Sequence, residues 1–215
     1  MKIWINIQTT QNHNHSLYIT ATSTTHMKYI IEHLEEKVYP WCLLEYTHIS
    51  TIVGKDNLIF TNIAKKDHKK LSSLGTIHEQ SIRNLPIQRA CILDPFAPQP
   101  LITSDKNEFD YIIFGGILGD HPMKARTKKE LSKFCKTIPT RHLGKEQFPT
   151  DNAVYVAKEI LENHKSLEDL NYQDTLEIDI DKGESIILPF RYVLINNQPL
   201  LAPGFKEFLK KQKMF

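Results

Sequence analysis

Apolar residues along this chain gather into short runs, and the runs are of two alternating kinds. "KYIIEHL" (28–34) and "NLIFTNI" (57–63) read as strands bounded by polar residues. Between them, "YPWCLLEYTHISTIV" (39–53) has helical spacing: Val38, Cys42, Tyr46, Ile49 and Val53 form one stripe. Pro40 suits a first turn and Gly54 a stop. "KDHKKLSSLG" (66–75) reads as a short helix ending in glycine. "RACILDP" (89–95) and "FDYIIFGG" (109–116) are continuous apolar strands, the kind covered on both faces of a parallel sheet. "KKELSKFC" (128–135) reads as a short helix and "TRHLG" (140–144) as a short strand. In "TDNAVYVAKEILENH" (150–164), Thr150 is the expected N-cap, Asp151 suits the helix dipole, and Ala153, Ala157, Ile160 and Leu161 share a face. "TLEIDI" (175–180) and "SIILPFRYVLI" (185–195) add two late strands, and "GFKEFLKKQKM" (204–214) a terminal helix. Alternating strands and helices predict an α/β fold with a mostly parallel sheet flanked by helices.

Composition narrows the class. The chain has 215 residues, 40% hydrophobic and 24% charged, enough for one domain with a real core. A formal charge of +2 argues against a dedicated nucleic-acid binder. Cys42, Cys91 and Cys135 are odd in number and far apart, which suits reduced thiols in the cytoplasm. No apolar run approaches the roughly 20 residues of a membrane span. The segment "TTQNHNHSLYITATSTTH" (9–26) has no acid and little to bury. Residues 1–26 are therefore expected to be a disordered extension, with His13 and His15 part of a polar tail, and 27–215 the folded domain.

Ligands of such sheets bind beyond the carboxyl ends of the strands. Three of those ends carry unusual loops: "LDP" (93–95), "GGILGDHP" (115–122) and "LGKEQFPTD" (143–151). A pyrophosphate site would call for G-x-G-x-x-G or G-x-x-x-x-G-K-[ST]. Here the spacing is G-G-x-x-G, followed by Asp120 and His121, and no lysine takes the phosphate-binding place. An acid in that position suits a cation, such as the sulfonium of S-adenosylmethionine. No metal-ligand spacing is present.

Several segments then carry a resemblance. "MKYIIEHLEE" with the following "W" and "LEY", "CILDP", "FGGILGDHP" followed by "RT", "R-x-LG-x-x-Q" leading into "TD-x-A", and "LPFRYVL" resemble a family of SPOUT-class methyltransferases. Its fungal member methylates arginine in a small-subunit ribosomal protein, the KH-domain protein near the mRNA entry channel. The likeness runs from Met27 to about Pro203, with Met123 standing where a second proline would be expected. It implies a SPOUT fold with a C-terminal trefoil knot that holds S-adenosylmethionine. The loops matching the knot's walls supply Leu93, Asp94 and Pro95; Gly115, Gly116, Leu118, Gly119 and Asp120; and Leu143, Gly144, Gln147 and Phe148. It further implies a cytoplasmic monomer acting on a ribosomal protein substrate.

Arginine methylation needs a group that orients a guanidinium, spreads its charge and takes a proton; carboxylates do this best. Glu32, Glu35, Glu36 and Glu45 form an acidic cluster near the chain's first strand. Glu32 or Glu35 is expected to hold the substrate guanidinium, with Asp120 nearby. Trp41 reads as core rather than substrate wall, and His121 as a turn residue. The alternative is a SPOUT RNA methyltransferase acting on rRNA or tRNA. "KARTKKELSK" (124–133) has five basic residues and one acid, and "KKDHKK" (65–70) adds a second basic patch. Neither shows interleaved aromatics. A ribosomal substrate would reconcile the two charge features, with basic patches toward rRNA and an acidic pocket for arginine.

Overall fold

A computed structural model describes residues 26–181 and 183–212. Except for His26, the tail expected to be disordered lies outside them, His13 and His15 included. The core is a six-stranded sheet of β1 (Lys28–His33), β2 (Leu58–Thr61), β3 (Thr76–Ile77), β4 (Ala90–Leu93), β5 (Tyr111–Gly116) and β6 (Thr140–Arg141). The strands lie in the order β3-β2-β1-β5-β4-β6, and every pairing is parallel. Apart from Lys28, all of β1 is buried, as are all of β2 and β4, which is why their sequences run apolar without alternation.

Helix α1 (Pro40–Val53) and helix α4 (Thr150–Leu161) cover one face. Val38, Cys42, Tyr46, Ile49 and Val53 are all buried, as their spacing predicts, against Tyr29, Ile31, Phe60 and Phe114. The other face packs Ile30, Ile59, Ile92 and Ile113 under Ile82, Leu85, Leu131 and Cys135. α1 starts with Pro40 in its first turn and stops at Gly54, whose φ of 80° suits a residue without a side chain.

Several elements differ from expectation. The region 66–75 contains only one α-helical turn, α2 (His68–Leu71), after a 3-10 turn at Lys65–Asp67. Asp67 serves the chain rather than the helix: its carboxylate accepts from the Val38 N–H (3.2 Å) and pairs with Lys70 (2.6 Å). The helix expected over 128–135 begins earlier, as α3 (Arg126–Glu130), and breaks at Leu131, whose side chain is fully buried. Thr150 is not the N-cap of α4. Pro149 holds that place and Thr150 is the first helical residue.

The late strands do not join the main sheet. β7 (Asn171–Asp181) and β8 (Glu184–Ile195) form an antiparallel hairpin, extended by the short β9 (Gln198–Pro199). Leu176, Ile178, Leu188 and Tyr192 of this hairpin close a second small core with Phe205 and Leu209 of α5 (Phe205–Gln212). Trp41 and Leu44 of α1 pack onto that core, so α1 has two apolar faces and joins the two sheets. Asn152, fully buried, makes a second tie. Its Oδ1 accepts from the Val193 N–H (2.9 Å) and its Nδ2 donates to the Leu200 carbonyl (3.0 Å).

Candidate active site

The loops after β4, β5 and β6 meet at the carboxyl edge of the sheet and line an open cleft. Leu93, Asp94, Pro95, Gly115, Asp120, Leu143, Gly144, Gln147 and Phe148 all line it. Its floor is apolar: Leu93, Pro95, Phe114, Leu143 and Phe148. At Gly115 an added Cβ would come within 3.0 Å of Ile117 Cδ1 and 3.3 Å of Thr127 Oγ1, so the backbone itself forms the wall there. Gly144 has φ of 100°, a conformation that a side chain would strain. Asp120 is paired with Lys124 at 2.8 Å, and that hydrogen bond holds its carboxyl below the ordinary range.

Three of the expected cleft residues lie elsewhere. Gly116 is buried behind the loop, where a Cβ would run into Tyr46 Oη and Ile31, so it serves core packing. Leu118 and Gly119 face a second cavity. This neighbour is lined by Trp41, Glu45, Phe190 and Tyr192 as well, and it shares Ile117 and Phe148 with the cleft. Two chambers thus stand side by side with a common wall.

The second chamber is aromatic and holds one acid. The Trp41 Nε1–H donates to Glu45 Oε1 (2.8 Å), and Trp41 is itself set by edge-on contacts with Phe205 and Phe208. Burial, with Asp151 nearby as the next cause, pushes the Glu45 carboxyl up to about 8. Asp151 is in turn held by His48, whose Nδ1–H donates to it at 2.7 Å. A carboxyl among aromatic faces suits a guanidinium, which stacks on rings and pairs with carboxylates.

The carboxylates expected to hold the substrate do not reach either chamber. Glu32 is fully buried on the opposite face of β1. Its Oε2 accepts from Thr61 Oγ1 (2.5 Å) and from the Ile82 N–H (3.0 Å), and its Oε1 accepts from Ser81 Oγ (2.5 Å). Those bonds explain why an acid can sit inside an apolar strand: its oxygens are spent on joining the strand to the next segments. Glu35 is a brace. Its Oε1 accepts from the Leu118 N–H (2.9 Å) and from Arg126 Nη1 (2.7 Å), which holds the glycine loop against α3. Replacing Glu35 by alanine should loosen both chambers at once. Cofactor affinity and turnover should fall together, and a fall in turnover alone would contradict the bracing role.

Of the three acids expected at the reaction, Asp120 lines the first chamber and the other two support structure. Glu45, which belonged to the same acidic cluster, is the acid that reaches the second. The signal for it was the i, i+4 spacing of Trp41 and Glu45, which puts the two on a helix face distinct from the stripe facing the sheet.

A family model described as protein arginine N-methyltransferase SFM1-like matches residues 28–214. The protein arginine N-methyltransferase SFM1 of Saccharomyces cerevisiae is 37% identical over 202 residues, covering 86% of this chain and 95% of that protein. The crystal structure of the yeast arginine methyltransferase SFM1 complexed with SAM is 35% identical and superposes with a TM-score of 0.80, over 88% of this chain and 92% of that one. The complex with SAH gives 0.78 at 35% identity, over 85% and 94%. The dual-specific Trm10 of Thermococcus kodakaraensis shares the fold at a TM-score of 0.52 and 16% identity, over 66% of this chain and 96% of that one.

Proposed function

The chain belongs to the SFM1-like family of protein arginine N-methyltransferases, and on that footing we propose that it methylates an arginine side chain of a protein, with S-adenosylmethionine bound in the first chamber and the arginine in the second. The observation that carries this reading is Glu45 among Trp41, Phe190 and Tyr192, one shared wall away from the cleft.

The first chamber fits the cofactor. Leu93, Pro95, Leu143 and Phe148 offer apolar surface for an adenosine, and Gly115 and Gly144 leave backbone edges open at its rim. Asp120, partly exposed at the mouth, supplies negative charge for a cationic ligand. When bound, S-adenosylmethionine supplies a methyl group on a positively charged sulfur. The chain's own residues do the rest. Trp41 and Phe190 would flank the guanidinium, and Glu45 would fix its plane through a charge-assisted bond. The substrate nitrogen gains the methyl and gives up one proton, which Glu45 accepts. Its raised proton affinity makes the ionised form a stronger acceptor, one that becomes available as pH rises toward 8. Fixing the nitrogen in line with the methyl adds several kcal/mol on its own.

The finer parts of the proposal are a small-subunit ribosomal protein as the substrate, a monomeric enzyme, a cytoplasmic setting and a trefoil knot around the cleft. What supports the knot is that the loops after β4, β5 and β6 converge on one chamber. Three free, buried cysteines agree with a reducing compartment. Among the described residues, no helix is long and apolar enough to cross a membrane.

Incubation with methyl-labelled cofactor and a mixture of small-subunit ribosomal proteins and rRNA tests the whole reading. The label is expected in acid-stable form on arginine of one protein, and label confined to RNA would overturn it. A variant tests the first chamber. Gly115→Val crowds Ile117 and Thr127 and projects into the cleft, so affinity for S-adenosylhomocysteine should fall roughly 10- to 100-fold, the range for overpacking a fitted site. Unchanged titration heats would move the cofactor elsewhere.

A further inference from the structure

Two large aromatic rings, Phe96 on the lining of the cleft and Phe134 past the end of α3, are about half exposed with cations over them. Phe134 is 54% exposed, with Arg83 Cζ 4.8 Å and Lys133 Nζ 5.0 Å from its ring centroid. Phe96 is 47% exposed, with Lys128 Nζ 5.8 Å from its centroid. One buried carboxylate ties the two segments together: Asp94 accepts from the Phe96 N–H (2.9 Å) and from Ser132 Oγ (2.7 Å). The segments that carry the rings are therefore joined at Asp94, although they stand far apart in the chain.

Lys128, Lys129, Lys133 and Lys136 are all exposed there, and among the described residues none has a carboxylate within ion-pair distance. The one acid in this stretch, Glu130, is held by Arg126 at 2.7 Å. So the lysines are not paired with carboxylates, and each ring, though cations stand over it, keeps about half of its surface open. No aromatic residue interrupts the basic run in the sequence; folding supplies them, Phe134 from just past its end and Phe96 from the loop after β4.

We propose that this surface binds single-stranded RNA, with phosphates against the four lysines and unpaired bases stacked on Phe134 and Phe96. Charge complementarity selects a polyanion. The exposed rings select one with free flat faces, since base stacking on aromatics strengthens binding markedly for each base. A duplex keeps its bases stacked internally, and an acidic peptide would use the lysines while leaving the rings bare. The proposal does not rest on the reaction assigned to the chambers.

Fluorescence anisotropy of the full chain with a labelled single-stranded RNA of about 15 nucleotides tests it, alongside a duplex RNA and an acidic peptide. Binding should weaken with salt at about −0.7 in log–log slope per phosphate contact. Changing Lys129, Lys133 and Lys136 together to glutamine should flatten that slope by about 2. Phe134→Ala should weaken binding roughly 5- to 100-fold without altering the slope. Methyl transfer to an isolated peptide should be unchanged in both variants, which also shows that they fold. No RNA binding, binding indifferent to Phe134→Ala, or equal affinity for the duplex or the acidic peptide would each overturn the proposal.

Discussion

Glu45→Gln is expected to lower methyl transfer about 100- to 1000-fold, the range for losing a positioned proton acceptor, with cofactor affinity almost unchanged. Glutamine keeps the shape and can still accept from the Trp41 Nε1–H, so the aromatic chamber stays assembled. What it loses is the charge that would pair with a guanidinium and the capacity to take a proton. The wild-type pH profile gives a second signature. With the carboxyl raised from 4.5 to about 8, the free enzyme holds it protonated at neutral pH, so kcat/KM should climb through pH 8 and level off above. Stability should run the other way. Between pH 4.5 and 8 the folded state retains a proton that the unfolded chain has released, so stability falls as pH rises through that window. Glu45→Gln should remove this slope. The variant would be nearly inactive yet more stable than wild type at pH 8, as expected of a group kept for function at the expense of the fold. A variant with near-normal turnover, or one with the same pH-dependent loss of stability, would remove Glu45 from the reaction.

The second large effect belongs to Glu32 and is one of stability. Glu32→Ala leaves the buried Ile82 N–H without its acceptor and Thr61 Oγ1 with only a long 3.5 Å contact to the Ile31 carbonyl, while the half-buried Ser81 Oγ can turn to water. An unsatisfied buried donor costs about 1–3 kcal/mol, so one stranded donor and one weakened one should cost about 2–4 kcal/mol in all. For a domain of this size that lowers the melting temperature by on the order of 10 °C. Glu32→Gln should be mild. Its oxygen can keep the two bonds made at Oε2, and its amide can turn toward the Ser81 hydroxyl, which accepts as readily as it donates. Turnover should therefore survive in Glu32→Gln at a temperature where both states are folded. Loss of activity without loss of stability would return Glu32 to the reacting groups.

Most of the sheet was legible because its strands are covered on both faces, and continuous apolar runs such as "ACIL" and "YIIFGG" have few other readings. The α1 stripe was legible for the same reason: its apolar residues at helical spacing all went inside. The two-residue strands β3 and β9 were not, since neither Thr76–Ile77 nor Gln198–Pro199 is long enough to show a period. That the late strands form their own sheet was also hidden, because alternation shows a strand but not its partner. Most residues expected to hold cofactor do stand on the cleft, whereas Gly116, Leu118 and Gly119 face away. Glycine spacing marks a loop that comes close to something, and at Gly116 that something is Tyr46. Glu32 and Glu35 stand outside both chambers for a related reason. A glutamate in an apolar strand looks functional until its hydrogen-bond partners, Ser81 and Ile82, come into view from far along the chain.

Because α1 is claimed on both sides, the acid proposed to take the proton owes its raised proton affinity to burial that a distant part of the chain helps to provide. Trp41 stands between Glu45 and the rings of Phe205 and Phe208, at the far end of the polypeptide. If that end lifted, water would reach the carboxyl, its burial would ease, and it would ionise at a lower pH. The chain's last helix therefore works as a stopper. How firmly it is seated would set how basic the proposed proton acceptor is.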